Sequence, residues 1–160
     1  MEDLNFKKIS MNDNAAKQIA SWHYEGDYAN YNLPTYEEMK EKNYGITNPE
    51  KAKNYICYLK EEEVIAYINM KEMEDKKIYF GIGLKPEFCG KGLGSHILKD
   101  GLEEIKNRYH NYIIYLEVRS WNIRAIKAYK KIGFLIDKTV IKKDRLGQDC
   151  EFIEMTLKQD

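Results

Sequence analysis

The chain is poor in the features that divide a protein into several parts. It has only three prolines and three cysteines in 160 residues, and it contains no Gly/Ser-rich linker and no internal repeat. A chain of this length supports one ordinary hydrophobic core. Because composition nowhere changes abruptly, we expect a single domain over residues 1–160.

Net charge is also missing. Lysine plus arginine (26) equals aspartate plus glutamate (26), so the formal net charge is zero. Without an overall positive field, binding to nucleic acid or to an anionic membrane is not expected, and any attraction for an anion must be local. No apolar run approaches the ~20 residues that span a bilayer, and the first residues lack the order of a signal peptide. We therefore expect a cytoplasmic protein.

The cysteines are too few and too far apart to form a framework. Cys57, Cys89 and Cys150 include no Cys-x-x-Cys pair and have no histidine at ligand spacing. Neither a disulfide network nor a metal site is therefore expected. All three are predicted to be reduced thiols that are at least half-buried.

Hydrophobic periodicity in the first half of the chain predicts a strand, two helices and three strands. The alternating segment at 4–10 precedes a helix that Asn12 or Asp13 caps, and Pro34 and Thr35 begin a short second helix. Three runs rich in Tyr, Ile and Val follow, separated by charged breaks. This pattern is typical of an antiparallel meander.

The second half changes to helical spacing from residue 92. "YIIYLEV" is predicted to be a strand covered on both faces, and "NIRAIKAYKKI" a helix that Gly133 ends. A closing hairpin completes the order βααβββαβαββ. We therefore predict an α/β (α+β) fold, a mixed sheet of about six or seven strands flanked by about four helices.

The segment "FCGKGLGSHIL", residues 88–98, places three glycines at alternate positions between a strand and a helix. The first backbone N–H groups of a helix have no partner within the helix and carry the positive end of its dipole. Lys91 adds a cation and Ser95 a hydroxyl. The junction therefore predicts an anion site, with a tight turn that needs glycine for φ alone as the alternative.

Two nucleotide motifs fit this segment poorly. A Walker A loop fails because Lys85 stands where its first glycine belongs and Gly92 where its Ser or Thr belongs. A dinucleotide fingerprint aligns Gly90 and Gly92 but puts Ser95 at its third glycine, with Glu117 as the ribose-binding acid. Such fingerprints usually stand at the start of a domain, whereas this segment follows two predicted helices and the meander, so the dinucleotide fingerprint stays only as an alternative.

A third motif fits better. "CGKGLG" at 89–94 resembles the pyrophosphate loop of the GNAT acyltransferases, Gln/Arg-x-x-Gly-x-Gly/Ala, at every position but the first, which is Cys89. Residues 116–134, "LEVRSWNIRAIKAYKKIGF", resemble a second family segment, Asn-x-x-Ala-x-x-x-Tyr-x-x-x-Gly-Phe. Its matching positions are Asn122, Ala125, Tyr129, Gly133 and Phe134. Both motifs occur in the family's order, so the chain resembles a GNAT N-acetyltransferase over nearly its whole length.

The resemblance implies acetyl-CoA as co-substrate, an amine as acceptor and no metal. The CoA pyrophosphate would lie on the loop formed by Cys89, Gly90, Lys91, Gly92, Leu93, Gly94 and Ser95. The pantetheine arm would pair with the main chain of Ile82 and Leu84, and Asn122 would anchor it. Gly81 and Gly83 would leave room for a ligand beside that strand.

The resemblance also implies roles in the chemistry. A backbone N–H near Leu84 would stabilise the oxyanion, and Tyr129 would protonate the departing thiolate. Many relatives use a Glu on a central strand as general base, but "IYFGIGL" has no carboxylate, so Glu117 on the next strand is the expected substitute, with a purely structural role as its alternative. Three alternatives to Glu117 stay open: His23, Glu25 and Asp27. Simpler roles also stay open, because Tyr129 fits a helix core and Asn122 a helix N-cap, while His96 and His110 are expected to play no chemical part.

The acceptor is expected to bind the segment "WHYEGDYANYNLPTY", where acids lie among aromatic rings. This combination favours a cation, although the same rings could instead pack the helices on the sheet. We therefore predict an N-acetyltransferase acting on a primary amine of a small molecule or of a protein or peptide. A non-catalytic acyl-CoA-binding module and an NAD(P)-binding protein are the alternatives. A homodimer is expected by analogy with the fold alone.

Overall fold

The computed structural model describes residues 6–144 and 146–158, in which it has seven β-strands and four α-helices. The strands are β1 Lys7–Ser10, β2 Tyr55–Lys60, β3 Glu63–Met73, β4 Lys77–Leu84, β5 Ile113–Arg119, β6 Leu135–Lys143 and β7 Asp149–Lys158. The helices are α1 Asp13–Ala20, α2 Tyr36–Glu41, α3 Leu93–Arg108 and α4 Ile123–Ile132. Short 3₁₀ helices lie between some of them. This order confirms the predicted βααβββαβαββ.

Backbone hydrogen bonds order the strands β1-β2-β3-β4-β5-β7-β6. The β1–β2 and β2–β3 pairs are antiparallel, as are β5–β7 and β6–β7, whereas β4 and β5 run parallel. A parallel pair needs a crossover, and α3 lies between β4 and β5 in the chain. The predicted mixed sheet and α/β fold class are confirmed.

The chain divides into two compact units. Of the described residues, the first unit holds 6–69 and 82–98, and the second holds 70–81, 99–144 and 146–158. Three elements, β3, β4 and α3, contribute residues to both units.

Side-chain caps stabilise the first turns of α1 and α2, the two helices that lie wholly in the first unit. The Asn12 side chain accepts a hydrogen bond from the Ala15 N–H at 2.8 Å, so Asn12, rather than Asp13, caps α1. Thr35 caps α2 in the same way through the Glu38 N–H, at 3.2 Å. The apolar faces of both helices join a buried cluster that includes Met11, Ala15, Ala16, Ile19, Trp22, Met39, Ile46, Cys57 and Val64.

Strand β5 of the second unit differs from its prediction. The side chains of Ile114, Leu116 and Val118 are buried, but those between them, including Tyr115 and Glu117, are only half-buried. The prediction that β5 is covered on both faces is therefore wrong on one face. The sequence pattern counted tyrosine as apolar, although its hydroxyl suits a face that is partly open to water.

Candidate functional site

The glycine loop lies in the first unit and leads into α3. A turn at Cys89–Gly90 and a bend at Lys91–Gly92 precede the helix, which begins at Leu93. Gly90 and Gly92 have φ of 76° and 85°, in the left-handed region that glycine adopts without strain. The sequence therefore needs glycine at these positions to turn the chain into the helix.

The loop is accessible to a ligand. Gly90, Lys91, Gly92 and Ser95 are all exposed. A Cβ added at Gly92 would meet no heavy atom within 4 Å, so space remains around this residue. Because α3 begins here, the N–H groups of its first turn have no intrahelical acceptor and can bind an anion.

Cys89, the one departure from the loop motif, turns back toward the end of β4. Its half-buried thiol lies 3.8 Å from the Lys85 carbonyl and 4.0 Å from the Leu84 carbonyl. The side chain therefore packs on the strand that precedes the loop. A ligand bound by backbone amides does not need the longer polar residue usual at this position.

The end of β4 is held from two sides within the first unit. The Lys85 N–H donates to the Ile65 carbonyl at 2.9 Å. The Tyr24 hydroxyl donates to the Leu84 carbonyl at 2.5 Å. Burial is the main cause that raises the pKa of Tyr24, so this hydroxyl remains a donor at neutral pH. Sequence reasoning missed this role of Tyr24, because no local pattern joins residues so far apart in the chain.

Gly83 makes room for a side chain of the protein itself. A Cβ at this position would lie 2.4 Å from Cε1 of the Tyr67 ring. The expectation that Gly83 leaves space for a ligand is therefore wrong for its Cβ side, because Tyr67 fills that space. Tyr67 in turn stacks on Trp22, with ring centroids 5.9 Å apart.

The aromatic segment thus packs in part against the core. Trp22 is buried, and Tyr24 and Tyr36 pack against the same cluster, which favours the packing alternative for these three rings. Tyr28 and Tyr31 are only half-buried, with ring centroids 6.3 Å apart. The alternative bases His23, Glu25 and Asp27 are exposed, as are His96 and His110.

Glu117 lies in the second unit on the half-buried face of β5. Its side chain is 13% exposed, and its carboxylate pairs with the Lys142 ammonium at 2.6 Å. In the ladder between β5 and β7 it stands opposite Glu154. Like charges opposite each other on a sheet repel, so the lysine offsets part of this repulsion.

An open groove passes Glu117 and carries charges of both signs. Its lining includes Lys71, Lys77, Lys142 and Glu154. Tyr115 also lines it and packs edge to face on Tyr79, with centroids 5.5 Å apart. Burial, and then the charge of Glu117, raises the pKa of both tyrosines. Both phenols therefore remain protonated near the carboxylate.

Asn122 caps α4. Its side-chain oxygen accepts a hydrogen bond from the Ala125 N–H at 3.2 Å, and the residue is buried. The open alternative of an N-cap is thus observed for Asn122. This bond leaves its predicted role as an anchor of the pantetheine arm a prediction.

The Tyr-x-x-x-Gly-Phe part of the second motif is a helix end. Gly133 has φ of 119°, which lets the chain turn back so that the Phe134 N–H donates to the Tyr129 carbonyl at 3.1 Å. The Tyr129 ring then packs edge to face on Phe134, which is fully buried, with centroids 5.9 Å apart. Gly133 and Phe134 therefore fix the position of the half-buried Tyr129 ring.

Within residues 6–144 and 146–158, no group of three or more His, Cys, Asp or Glu side chains could hold a metal ion. None of the three cysteines, which all lie in these ranges, forms a disulfide. None of the helices described in the same ranges is long and apolar enough to cross a membrane.

The sequence matches the model of the acetyltransferase (GNAT) family over residues 16–134. This range includes the glycine loop and the whole second motif, which ends at Phe134. The solved structure of a GNAT superfamily phosphinothricin acetyltransferase from Sinorhizobium meliloti, in complex with AcCoA, has a similar fold. Its TM-score is 0.70 at 15% identity, over 96% of this chain and 88% of that one.

Two curated proteins are similar in sequence over shorter ranges. [Ribosomal protein bS18]-alanine N-acetyltransferase of Salmonella typhimurium is 30% identical over 74 residues, 46% of this chain and 49% of that protein. Spore coat polysaccharide biosynthesis protein SpsD of Bacillus subtilis is 29% identical over 77 residues, 48% of this chain and 26% of that protein. The chain therefore spans half or less of the length of the curated relatives that it matches.

Proposed function

Because the chain belongs to the GNAT acetyltransferase family, we propose that it transfers an acetyl group from acetyl-CoA to a primary amine of a small molecule, a peptide or a protein. The observation that carries this proposal is the loop at 89–94, where exposed glycines with positive φ precede the first turn of α3. The family predicted from two motifs is confirmed by the match over residues 16–134.

The loop fits the pyrophosphate of CoA. A diphosphate carries negative charge, and the positive end of α3 and the ammonium of Lys91 supply a local attraction in a chain whose formal net charge is zero. We assign pyrophosphate binding to the predicted residues Cys89, Gly90, Lys91, Gly92, Leu93, Gly94 and Ser95. The relative from S. meliloti that was solved with AcCoA supports acetyl-CoA as the ligand, and the loop motif assigns these residues to it.

The end of β4 fits the pantetheine arm. The N–H of Lys85 donates to Ile65 in β3, and main-chain groups alternate in direction along a strand. The main-chain groups of Leu84 and Ile82 therefore point away from β3. An extended ligand rich in amides can pair with Ile82 there, while the Leu84 carbonyl already accepts the Tyr24 hydroxyl and the Leu84 N–H is left for the thioester end of the same ligand. Asn122 is assigned to the same arm by the family resemblance.

The proposed chemistry is direct attack. The amine nitrogen bonds to the thioester carbonyl carbon, the Leu84 N–H donates to the oxygen that becomes negative, and the C–S bond then breaks. Glu117 takes the proton that the ammonium must lose, and Tyr129 gives its phenolic proton to the thiolate. Glu117 is assigned as the base from the sequence, and its half-buried carboxylate pairs with the Lys142 ammonium, which an acceptor has to replace.

The acceptor is a primary amine, and its identity is open. A peptide N-terminus is one candidate, because the relative from Salmonella typhimurium is named an alanine N-acetyltransferase of ribosomal protein bS18, and the side chain of alanine carries no amine. Glu117 and Glu154 are carboxylates of the groove with which a cationic acceptor can pair, and lysines line the same groove. The cytoplasmic location and the homodimer stay predictions from the sequence.

Thermal melting with different ligands tests the proposed cofactor. CoA and acetyl-CoA at concentrations well above their dissociation constants are expected to raise the melting temperature, because a ligand that binds only the folded state stabilises it. NAD and NADP are expected to have no effect. Stabilisation by NAD(P) and not by CoA would overturn the proposal in favour of a dinucleotide-binding protein. Binding of CoA without thiol release with any amine would point to a non-catalytic acyl-CoA module.

A further inference from the structure

The peptide group between Leu84 and Lys85 is held at both of its polar atoms. Its oxygen accepts the Tyr24 hydroxyl at 2.5 Å, and its N–H donates to the Ile65 carbonyl at 2.9 Å. Because a peptide group is planar, two bonds on opposite sides fix the orientation of the whole group. The two bonds therefore fix the peptide group that follows Leu84, while the Leu84 N–H lies in the preceding peptide group, which is joined to the fixed one at the Leu84 Cα.

Tyr24 is itself held by local contacts. The Asn32 side chain accepts a hydrogen bond from the Tyr24 N–H at 2.7 Å and donates one to the Tyr24 carbonyl at 3.1 Å. The Tyr24 ring packs edge to face on Tyr31, with centroids 6.3 Å apart. These three contacts thus direct the hydroxyl at the end of β4 from a segment that is 60 residues away in sequence.

The Tyr24 bond bears on the N–H to which we assign the oxyanion. In an extended strand the N–H and the carbonyl of one residue point to the same side. The Leu84 carbonyl points toward Tyr24, so the Leu84 N–H points to that side as well, away from β3. An oxyanion donor has its full effect only when it is fixed before the reaction, since reorientation would otherwise oppose the gain.

We propose that Tyr24 is a positioning residue for acyl transfer, which holds the Leu84 backbone so that its N–H is directed at the thioester oxygen. This inference rests on the proposed function. Tyr24 acts through Leu84, in contrast to Tyr129, whose proposed role is proton transfer. The early aromatic segment, assigned from the sequence only to acceptor binding or packing, thereby acquires a part in catalysis.

The variant Tyr24→Phe tests the role of the hydroxyl, because it keeps the ring and its contact with Tyr31. We expect kcat for amine-dependent thiol release to fall about tenfold, the usual effect of one hydrogen bond. The KM for acetyl-CoA is expected to change less than about twofold, since the lost interaction matters in the transition state. A purely structural role would not produce this split. The control is Tyr44→Phe, the same change on a ring that is 45% exposed, with kcat expected to match the wild type.

A second variant decides the outcome if Tyr24→Phe does not fold. Asn32→Ala loosens the hold on Tyr24 while keeping its hydroxyl, and kcat is again expected to fall with an unchanged KM for acetyl-CoA. If a folded Tyr24→Phe, or in its place Asn32→Ala, keeps kcat within about twofold of the wild type, the inference is refuted. If the wild-type protein releases no thiol with any amine, the proposed function fails and the role of Tyr24 fails with it.

Discussion

In the second unit, the carboxylate of Glu117 already holds a cation, the ammonium of Lys142. An incoming amine would have to take this place before Glu117 could accept its proton. Lys142 is 52% exposed, and an ion pair at such a position contributes only about 0–1 kcal/mol. The ion pair between Lys142 and Glu117 is therefore weak enough for a substrate ammonium to replace the lysine.

Replacement of Lys142 by methionine is expected to favour the acceptor. Without the competing ammonium, the KM for the amine should fall about threefold while kcat stays unchanged, because the loss of competition acts on binding. Steady-state kinetics with the amine that supports thiol release measures both constants. Lys143→Met is the matched control, since Lys143 pairs with Asp149 and not with Glu117. A lower KM for the amine in both variants, or in neither, would contradict the proposal that Lys142 and the amine compete for Glu117.

At the residue scale, the types of side chain could be predicted but not their partners. The second motif predicted Asn122 and Tyr129, and hydrogen bonds to residues at most five positions away hold both of them in place. The bonds from Tyr24 to Leu84 and from Lys142 to Glu117 join residues 60 and 25 positions apart. Such contacts depend on packing and strand register, which composition and periodicity do not encode locally.

Among the elements, the junction between β4 and α3 is the one to which we assign CoA binding. Its geometry requires a positive φ at Gly92, and an L-residue in this region costs about 1–2 kcal/mol. Gly147, in the turn between β6 and β7, has nearly the same conformation, with φ of 81°, and also has no neighbour within 4 Å of an added Cβ. Replacement of either glycine by an L-residue is therefore expected to introduce similar strain, at two different places in the fold.

The variants Gly92→Ala and Gly147→Ala separate strain from binding. Both are expected to lose about 1–2 kcal/mol of the free energy of unfolding, because alanine is strained at positive φ. Only Gly92→Ala should weaken the binding of CoA, with a Kd about tenfold higher, because in this variant the amides of the loop turn away from the diphosphate. Urea denaturation and calorimetric titration measure the two effects. Equal loss of CoA affinity in both variants would show that the loop has no special role.

The order of elements followed from the sequence because apolar spacing and capping residues act within one element. Asn12, Thr35 and Gly133 each bond to the backbone a few residues away and end or begin their helices as predicted. Strand β5 was predicted less well because its half-buried tyrosine counts as apolar in a pattern. Coverage of a face depends on which elements pack there, and that is a property of the tertiary structure.

At the scale of the whole molecule, the burial of one thiol and two phenol groups makes the free energy of unfolding depend on pH. Burial raises the pKa of Cys57 from 9.0 to about 12 and also raises that of Tyr24 and of Tyr79 above the usual 10.0. Above pH 9 the unfolded chain therefore releases protons that the folded chain keeps. These groups contribute fully to the free energy of unfolding below the pKa values that they have in the unfolded chain. Their contribution is lost as the pH rises toward the higher pKa values of the folded chain.

The free energy of unfolding is accordingly expected to fall as pH rises from about 9 to 12, by up to about 1.4 kcal/mol per pH unit for each proton retained. Urea denaturation at a series of alkaline pH values measures this slope. In Cys57→Ala the decline should begin nearer pH 10, where the tyrosines of the unfolded chain start to ionise. A free energy of unfolding that stays constant or increases over this range would contradict the burial of these groups.

The central claim is acetyl transfer, and amine-dependent thiol release from acetyl-CoA by the wild type and by Tyr129→Phe tests it most directly. We predict release by the wild type that depends on both acetyl-CoA and an amine. In Tyr129→Phe it should be about 100-fold slower, with CoA affinity retained, because a general acid contributes about that much to the rate. Equal rates in the two proteins would remove Tyr129 from the mechanism, and no release by the wild type with any amine would contradict the account.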